Sequence, residues 1–138
     1  MSYDTRAEYK EGMAFDVDLG GHELRVDAGT DHGGKNYGPT PRSMMLAALS
    51  GCTGMDVVAI LRKMQMPYDS FAIEVRADSA DQHPHVYTAV TVRYLFSGEK
   101  VEREKVEKAV TLSLDRYCPV AATLRHTATI DYEIVINR

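Results

Sequence analysis

The feature that most constrains this chain is a long apolar segment that runs from Met44 to Leu61. Thr40 and Pro41 stand just before it, an N-cap hydroxyl followed by a proline at the first helical position. Basic residues follow its end, where the helix dipole favours cations. The pattern predicts a helix over residues 41–65 that is apolar on nearly every side, so we expect it to be central and buried.

Two further expectations concern the surroundings of this helix. One face of a small sheet cannot cover a helix that is apolar nearly all round, so the sequence predicts that a second subunit completes its burial. Ser50, Thr53 and Asp56 interrupt the apolar run, which is shorter than the ~20 apolar residues that a bilayer span requires. We therefore expect the buried helix of a soluble protein and no membrane partner.

Strand and helix periodicities flank the long helix on both sides. Alternation over residues 5–27, around the turn at Gly20-Gly21, predicts strands, and the glycine-rich stretch that follows predicts a loop. Beyond the helix, the patterns predict strands over 70–77 and 86–96, a helix over 99–117, a short helix from Pro119 and a last strand over 130–136. This order predicts an α+β fold. A chain of 138 residues without a linker or repeat predicts a single domain over residues 1–138.

The composition argues against several classes of function. Hydrophobic residues make up 44% of the chain and charged residues 26%, which is a globular balance. The net charge of -4 provides no basic surface for nucleic acid or an anionic membrane, so we expect neither partner. Two cysteines are too few for a disulfide-rich secreted domain, and the acidic start over residues 1–8 is unlike an export signal. We expect a cytoplasmic protein.

Cys52 is the sharpest candidate for chemistry. It lies inside the apolar helix between small residues, which leave space around its sulfur for a ligand. The alternative interpretation is a small buried hydrophobic residue. Asp56 lies one helical turn further on, where its charge disfavours a thiolate, so reactivity requires a nearby cation. The candidate cations are Lys10, Arg25, Arg42, Arg125 and His126.

Cys118 stands directly before Pro119, a position that is typical of the N-cap of a short helix. At such a position the helix dipole lowers the pKa of a thiol, and we expect this effect at Cys118. The two cysteines are too far apart in sequence for a CxxC motif and too few for a structural zinc site. Only folding can bring them together, within the ~4.4–6.8 Å between Cα atoms that a disulfide requires.

Two other motifs are weaker. The stretch from Gly29 to Lys35 resembles a phosphate-binding loop, but Asn36 replaces the required hydroxyl residue and the following segment is not helical in pattern. His83 and His85 read as part of a polar hairpin loop rather than a metal site. We therefore expect neither a metal nor a cofactor.

Four stretches carry a resemblance to a known family: residues 39–41 (PTP), 44–56 with SGCTG around Cys52, 57–64, and 117–120 (YCPV). Together they resemble the OsmC/Ohr family of osmotically induced and organic-hydroperoxide-resistance proteins, and within it the YhfA-like branch. The resemblance extends over essentially the whole chain. It implies an OsmC-like fold, in which an intertwined homodimer has long central helices wrapped by antiparallel-rich sheets.

The resemblance also implies a reaction. Similar proteins reduce organic hydroperoxides with a peroxidatic thiol, here Cys52, and a resolving thiol, here Cys118. An external dithiol, often a lipoylated protein in the family, then resets the pair. This chemistry agrees with the residues, because a thiolate that attacks a peroxide becomes a sulfenic acid, which a second thiol converts to a disulfide.

The sequence departs from the family pattern beside the peroxidatic thiol. The well-studied peroxidases place an arginine and a glutamate there, whereas Arg42 or Ser43 occupies the glutamate position of this chain. Lys10 or Met13 stands at the arginine position, and Arg25 is another cation that can serve. Lysine keeps the charge but lacks the fork that holds a thiolate and a carboxylate together. We expect Lys10, Arg25 and Asp56 to be supporting residues.

Two other functions stay open at this point. The protein is a binding module if its apolar cavity holds a hydrophobic small molecule and the cysteines are passive. It is a redox sensor if a reversible disulfide alters partner binding without turnover. The second cysteine favours the redox interpretations, because storage of a ligand has no need of Cys118.

Overall fold

The computed structural model describes residues 4–138 and divides them into two units, up to residue 45 and from residue 46 onward. The segment on which the expectation about an export signal rests begins with residues 1–3, and these lie outside the described residues. The described strands are β1 (Thr5–Glu11), β2 (Ala14–Leu19), β3 (His22–Val26), β4 (Ser70–Ser79), β5 (Tyr87–Ser97) and β6 (Thr129–Asn137). The described α-helices are α1 (Pro41–Lys63), α2 (Arg103–Leu112) and α3 (Pro119–Leu124). The predicted α+β class is confirmed.

The N-terminal unit contains an antiparallel sheet in the order β1-β2-β3. Gly20 and Gly21 join β2 to β3 with φ angles of 58° and 86°, which only glycine adopts readily, so the predicted hairpin is confirmed. Most side chains of this sheet are exposed, including those of Tyr9, Phe15 and Leu24. The sheet therefore has little apolar core of its own.

The glycine-rich loop of the N-terminal unit wraps around a carboxylate of the same chain. Asp27 accepts backbone N–H groups from Ala28, Lys35 and Tyr37 at 2.7–3.2 Å. These bonds hold the pKa of Asp27 below its usual range, and the N–H of Tyr37 has the largest effect on that pKa. A Cβ on Gly34 would lie 1.9 Å from the carbonyl oxygen of Ala28, so only glycine fits there. The N–H groups of this loop are thus directed at an internal anion.

Helix α1 begins as the sequence predicts. Thr40 Oγ1 accepts the N–H of Ser43 at 3.2 Å, which is an N-cap bond. One stripe of the helix is buried, spaced at one helical turn: Leu49, Thr53, Val57 and Leu61.

The expectation of burial on all sides is wrong for the single chain. Met45 is 42% exposed and Met55 is 75% exposed, whereas the buried positions of the helix form a single stripe. By length and composition alone α1 is long and apolar enough to cross a membrane, unlike the shorter apolar run that the sequence predicts. Of its most apolar window, 22% is buried inside the protein.

The C-terminal unit is built on a three-stranded sheet in the order β4-β5-β6. Strands β4 and β5 form the predicted hairpin pair, and β6 pairs in parallel with β5. A parallel partner requires a crossover connection, which α2 and α3 supply between β5 and β6. The buried core comprises one face of this sheet and residues of all three helices, among them Leu61, Val92, Tyr94 and Val110.

The helix predicted over residues 99–117 is divided. Helix α2 ends at Leu112, and Ser113–Tyr117 form a π-helical turn before α3. The apolar period continues through both parts, so the sequence pattern does not reveal where the hydrogen bonding changes.

The loop between β4 and β5 closes on itself. His85 Nδ1 hydrogen-bonds the carbonyl oxygen of Ala80 at 2.9 Å, and the His83 and His85 rings are in edge contact at 4.2 Å. The structure thus has the predicted polar hairpin loop here. Among residues 4–138, no three His, Cys, Asp or Glu side chains are grouped as metal ligands.

Candidate active site

Folding brings the two cysteines together. Cys52 lies in α1 and Cys118 directly before α3, and both are free thiols. Cys52 lies close enough to Cys118 to raise the pKa of that thiol, and both side chains pack in the apolar cluster of the C-terminal unit. Cys52 is partly exposed, whereas Cys118 is 3% exposed. The site therefore holds one accessible thiol beside one enclosed thiol.

Cys118 is the N-cap residue of α3, as predicted. Its Sγ accepts the N–H of Ala121 at 3.4 Å, and Pro119 occupies the first turn. The expected lowering of its pKa is nevertheless wrong. The pKa of Cys118 is raised to about 11. Burial is the largest cause, the N–H of Ala121 acts in the opposite direction, and Cys52 adds to the increase. Cys118 therefore carries its proton at neutral pH.

The π-helical turn places Cys118. The N–H of Cys118 donates to the carbonyl oxygen of Ser113 at 2.8 Å, a bond that spans one residue more than an α-helical bond. Arg125 braces the same turn from α3: its guanidinium donates to the carbonyl oxygen of Leu114 and lies 3.5 Å from the carboxylate of Asp115. Arg125, one of the candidate cations, is thus engaged by the turn that precedes Cys118.

A polar cluster lies beside the thiols in the otherwise apolar core; we call it the hydroxyl network, and it consists of Tyr94, Thr53, Ser113 and Asp56. Thr53 Oγ1 is 2.7 Å from both the Tyr94 hydroxyl and Ser113 Oγ. Ser113 Oγ donates to Asp56 Oδ2 at 2.8 Å. Tyr94, Thr53 and Ser113 are fully buried, so the network satisfies groups that water does not reach.

Sequence reasoning missed three members of this network. The sequence pattern shows Thr53 only as a break in the apolar run and Tyr94 only as part of the strand over 86–96, and it does not single out Ser113. One signal at Thr53 is available in the sequence. This residue is polar, but it lies four positions from the apolar residues Leu49 and Val57 and therefore on their face of the helix. Nothing in the sequence indicates the partners of Ser113 and Tyr94.

Tyr94 lies within electrostatic range of the enclosed thiol. The pKa of Tyr94 is raised to about 12. Burial is the largest cause, the hydrogen bond with Thr53 acts in the opposite direction, and the charges of Cys118 and Asp56 add to the increase. Its hydroxyl is therefore protonated at neutral pH and available as a donor.

The predicted supporting residues have different surroundings. Asp56 belongs to the hydroxyl network described above. Lys10 Nζ lies 3.6 Å from Glu8 Oε1, and Arg25 forms two hydrogen bonds with the Asp16 carboxylate at 2.7 and 3.1 Å. Both cations belong to the N-terminal unit and have carboxylates of their own sheet as partners.

An open groove begins at the end of the hydroxyl network. It has a volume of about 530 Å³, and its lining is mostly apolar. The lining residues are Asp56, Ala59, Ile60, Lys63, Met64, Leu112 and Tyr117. Its size falls within the range of small-molecule pockets.

The class of protein follows from the comparison with known families. The family described as OsmC-like protein matches residues 32–133, a stretch that includes both cysteines and most of the chain. The chain therefore belongs to the OsmC-like family, and it has the OsmC-like fold.

Particular relatives refine this assignment. Protein YhfA of Escherichia coli strain K12 is 29% identical over 134 residues, which cover 95% of this chain and 97% of the relative. A hypothetical protein from Aquifex aeolicus VF5 superposes with a TM-score of 0.84 at 24% identity, over 100% of this chain and 99% of the other. An organic hydroperoxide resistance protein OsmC from Legionella pneumophila superposes with a TM-score of 0.72 at 12% identity, over 100% and 98%. The chain is thus similar to the YhfA branch of a family that includes organic hydroperoxide resistance proteins.

Proposed function

We propose that this protein is a thiol-dependent peroxidase that reduces organic hydroperoxides through a cycle of Cys52 and Cys118. The observation that carries the proposal is that two free thiols, distant in sequence, pack in one apolar cluster and interact electrostatically. The resemblance to organic hydroperoxide resistance proteins in fold supports the same reaction class.

The first step is assigned to Cys52 because it is the accessible thiol of the pair. Its thiolate attacks the distal oxygen of a hydroperoxide, so that an S–O bond forms and the O–O bond breaks. The sulfur is oxidised to a sulfenic acid, and the peroxide is reduced to an alkoxide that takes a proton from solvent. The apolar surroundings favour a peroxide with an organic substituent.

The second step is assigned to Cys118. Its sulfur attacks the sulfur of the Cys52 sulfenic acid, an S–S bond forms and the S–O bond breaks. The proton of the Cys118 thiol leaves with the hydroxide as water, so the thiol itself supplies the proton that the leaving group needs. An external dithiol then reduces the disulfide by thiol–disulfide exchange, and we propose a lipoylated protein as one such dithiol.

A supporting cation for the Cys52 thiolate belongs to the proposal as well. Lys10 and Arg25 are the candidates from the N-terminal unit, as the sequence predicts. Substitution of the responsible cation should slow the first step and leave disulfide closure unchanged, because only the first step uses a thiolate at Cys52.

We also propose that the protein acts as a homodimer in the cytoplasm. The exposed apolar side chains of α1, with Met55 at 75% exposure, would be covered by a second copy. Two free thiols require a reducing compartment. Light scattering at micromolar concentration should give twice the mass of the chain, and the mass of a single chain would refute the dimer.

The experiment that tests the proposed function is a turnover assay with cumene hydroperoxide and excess dihydrolipoamide. Cys52→Ser should abolish turnover, because no other thiol forms the sulfenic acid. Cys118→Ser, treated with the peroxide in the absence of the dithiol, should stop at the sulfenic acid, which dimedone traps. Full activity in Cys52→Ser would exclude the cycle.

A hydrophobic binding module is the second candidate, and the groove of about 530 Å³ favours it. In that case the cysteines are passive, and a ligand should remain with the protein after mild purification. Native mass spectrometry would show such a ligand as a mass increment, which heating in an organic solvent releases. Turnover in the peroxidase assay without any such increment would exclude this candidate.

A further inference from the structure

The hydroxyl network connects the two segments that carry the cysteines. Thr53 and Asp56 belong to the helical turn of α1 that follows Cys52. Ser113 opens the π-helical turn that ends at Cys118. Ser113 therefore holds α1 through its side chain and Cys118 through its backbone carbonyl.

The charge of Asp56 gives the network one direction. A carboxylate only accepts, so the single proton of the Ser113 hydroxyl is directed at Asp56. The Ser113 oxygen must then accept from Thr53, whose own oxygen accepts from the Tyr94 hydroxyl. All hydroxyl protons point towards Asp56, and the arrangement is ordered because each group has one role.

Such a network constrains geometry in addition to the apolar packing around it. Hydrogen bonds between buried hydroxyls fix direction as well as distance. The π-helical turn ends directly before Cys118, and the side-chain bonds of Ser113 join the start of this turn to α1.

We propose that Thr53, Ser113 and Asp56 are positioning residues for disulfide closure: they hold the turn that carries Cys118 against the helix that carries Cys52. The inference rests on the cycle proposed above and adds which of its steps the network controls. Attack of Cys52 on a peroxide does not use Cys118, so it does not need the network. Attack of Cys118 on the sulfenic acid does, because the two sulfurs must meet.

The test separates the two steps in the reduced, full-length protein. Stopped-flow mixing with cumene hydroperoxide measures sulfenic acid formation and then disulfide closure. Ser113→Ala should leave the first rate within about twofold and slow closure by about tenfold or more, since small errors in position cost that much. Dimedone should trap a larger share of the sulfenic acid. Thr111→Ala is the matched control, because the Thr111 hydroxyl bonds only carbonyl oxygens of its own helix.

A second pair of variants covers the case in which Ser113→Ala does not fold. Asp56 is only partly buried, and Asp56→Asn keeps an acceptor for Ser113 whereas Asp56→Ala removes it. Closure should be slow in Asp56→Ala and near the wild-type rate in Asp56→Asn. Equal closure rates in these two variants, or closure of Ser113→Ala at the wild-type rate, would overturn the inference.

A measurement without peroxide distinguishes this failure from failure of the proposed function. Equilibration with glutathione gives the effective concentration of one thiol at the other, which depends on their placement and does not involve peroxide. Ser113→Ala should lower it by about tenfold. If the wild type does not react with peroxide but Ser113→Ala still lowers the effective concentration, the peroxidase proposal fails and the positioning role stands. If turnover is present and the effective concentration is unchanged, the positioning role fails.

Discussion

The two units of this chain differ in what holds their sheets. The sheet β4-β5-β6 has one face in an apolar core, with Val92 and Tyr94 fully enclosed. The sheet β1-β2-β3 has exposed apolar side chains such as Phe15 and Leu24, together with exposed ion pairs. Packing determines the geometry of the C-terminal unit, and backbone bonds and turns determine that of the N-terminal unit.

This difference matters for the proposed chemistry. Both thiols and the whole hydroxyl network belong to the C-terminal unit, where the core keeps them at fixed positions. The N-terminal unit contributes candidate cations on an exposed sheet. The comparison teaches that reactive groups which must meet are placed on the packed part of a fold, whereas groups that act by charge do not need such packing.

The largest effect on stability should come from equal substitutions in the two units. Leu61→Ala should lower the unfolding free energy by about 2–5 kcal/mol, because Leu61 is fully buried in the core. Leu24→Ala should cost well under half as much in the isolated chain, because Leu24 is exposed. Urea unfolding measures both. A cost at Leu24 that grows with protein concentration would show that a second subunit covers this sheet, and equal costs at low concentration would contradict the comparison.

An intermediate effect should appear in the pH dependence of stability. The pKa of Cys118 is raised from about 9 to about 11 in the folded chain, so the unfolded chain loses this proton first. The unfolding free energy should therefore fall as the pH rises through this window and be unaffected by Cys118 below it. Urea midpoints at about pH 8 and about pH 10 measure the fall.

The matched control for this titration is Cys118→Ala, which should show a smaller fall between the two pH values. Alkylation of Cys118 in the Cys52→Ser variant gives a second reading. Removal of Cys52 takes away a hydrogen bond and a charge that raise the pKa of Cys118, but burial remains, so its pKa should stay above 9.0. A Cys118 that alkylates rapidly at neutral pH would contradict this account.

The smallest effect on stability should come from the ion pair between Arg25 and Asp16. Arg25→Ala should leave the urea midpoint nearly unchanged, because exposed ion pairs contribute little to stability. The same variant tests whether Arg25 supports the Cys52 thiolate. A slower first step with normal stability would assign that role to Arg25, and Lys10→Ala applies the same test to the other candidate. A large loss of stability would contradict the contrast between the two units.

Local features of the fold could be predicted from the sequence. The N-cap at Thr40, the hairpin at Gly20-Gly21 and the N-cap at Cys118 depend on residues that are close in sequence, and the structure has all three. The strand and helix periods likewise gave nearly every element.

Features that depend on distant contacts could not be predicted. The change from α2 to the π-helical turn depends on Ser113 meeting α1 and on Arg125 meeting Leu114, and neither contact leaves a mark in the apolar period. The raised pKa of Cys118 depends on burial and on Cys52, which outweigh the local helix effect that the sequence does show. The exposed face of α1 was missed because a count of apolar residues does not tell which of them the chain itself covers.

The most direct test of the central claim is the intact mass and free-thiol count of the reduced protein after an equimolar addition of cumene hydroperoxide. The account predicts the loss of both thiols and of two hydrogens in the wild type, with Cys52→Ser unchanged and Cys118→Ser oxidised at one sulfur. Retention of both thiols in the wild type during prolonged exposure would contradict the Cys52 and Cys118 cycle.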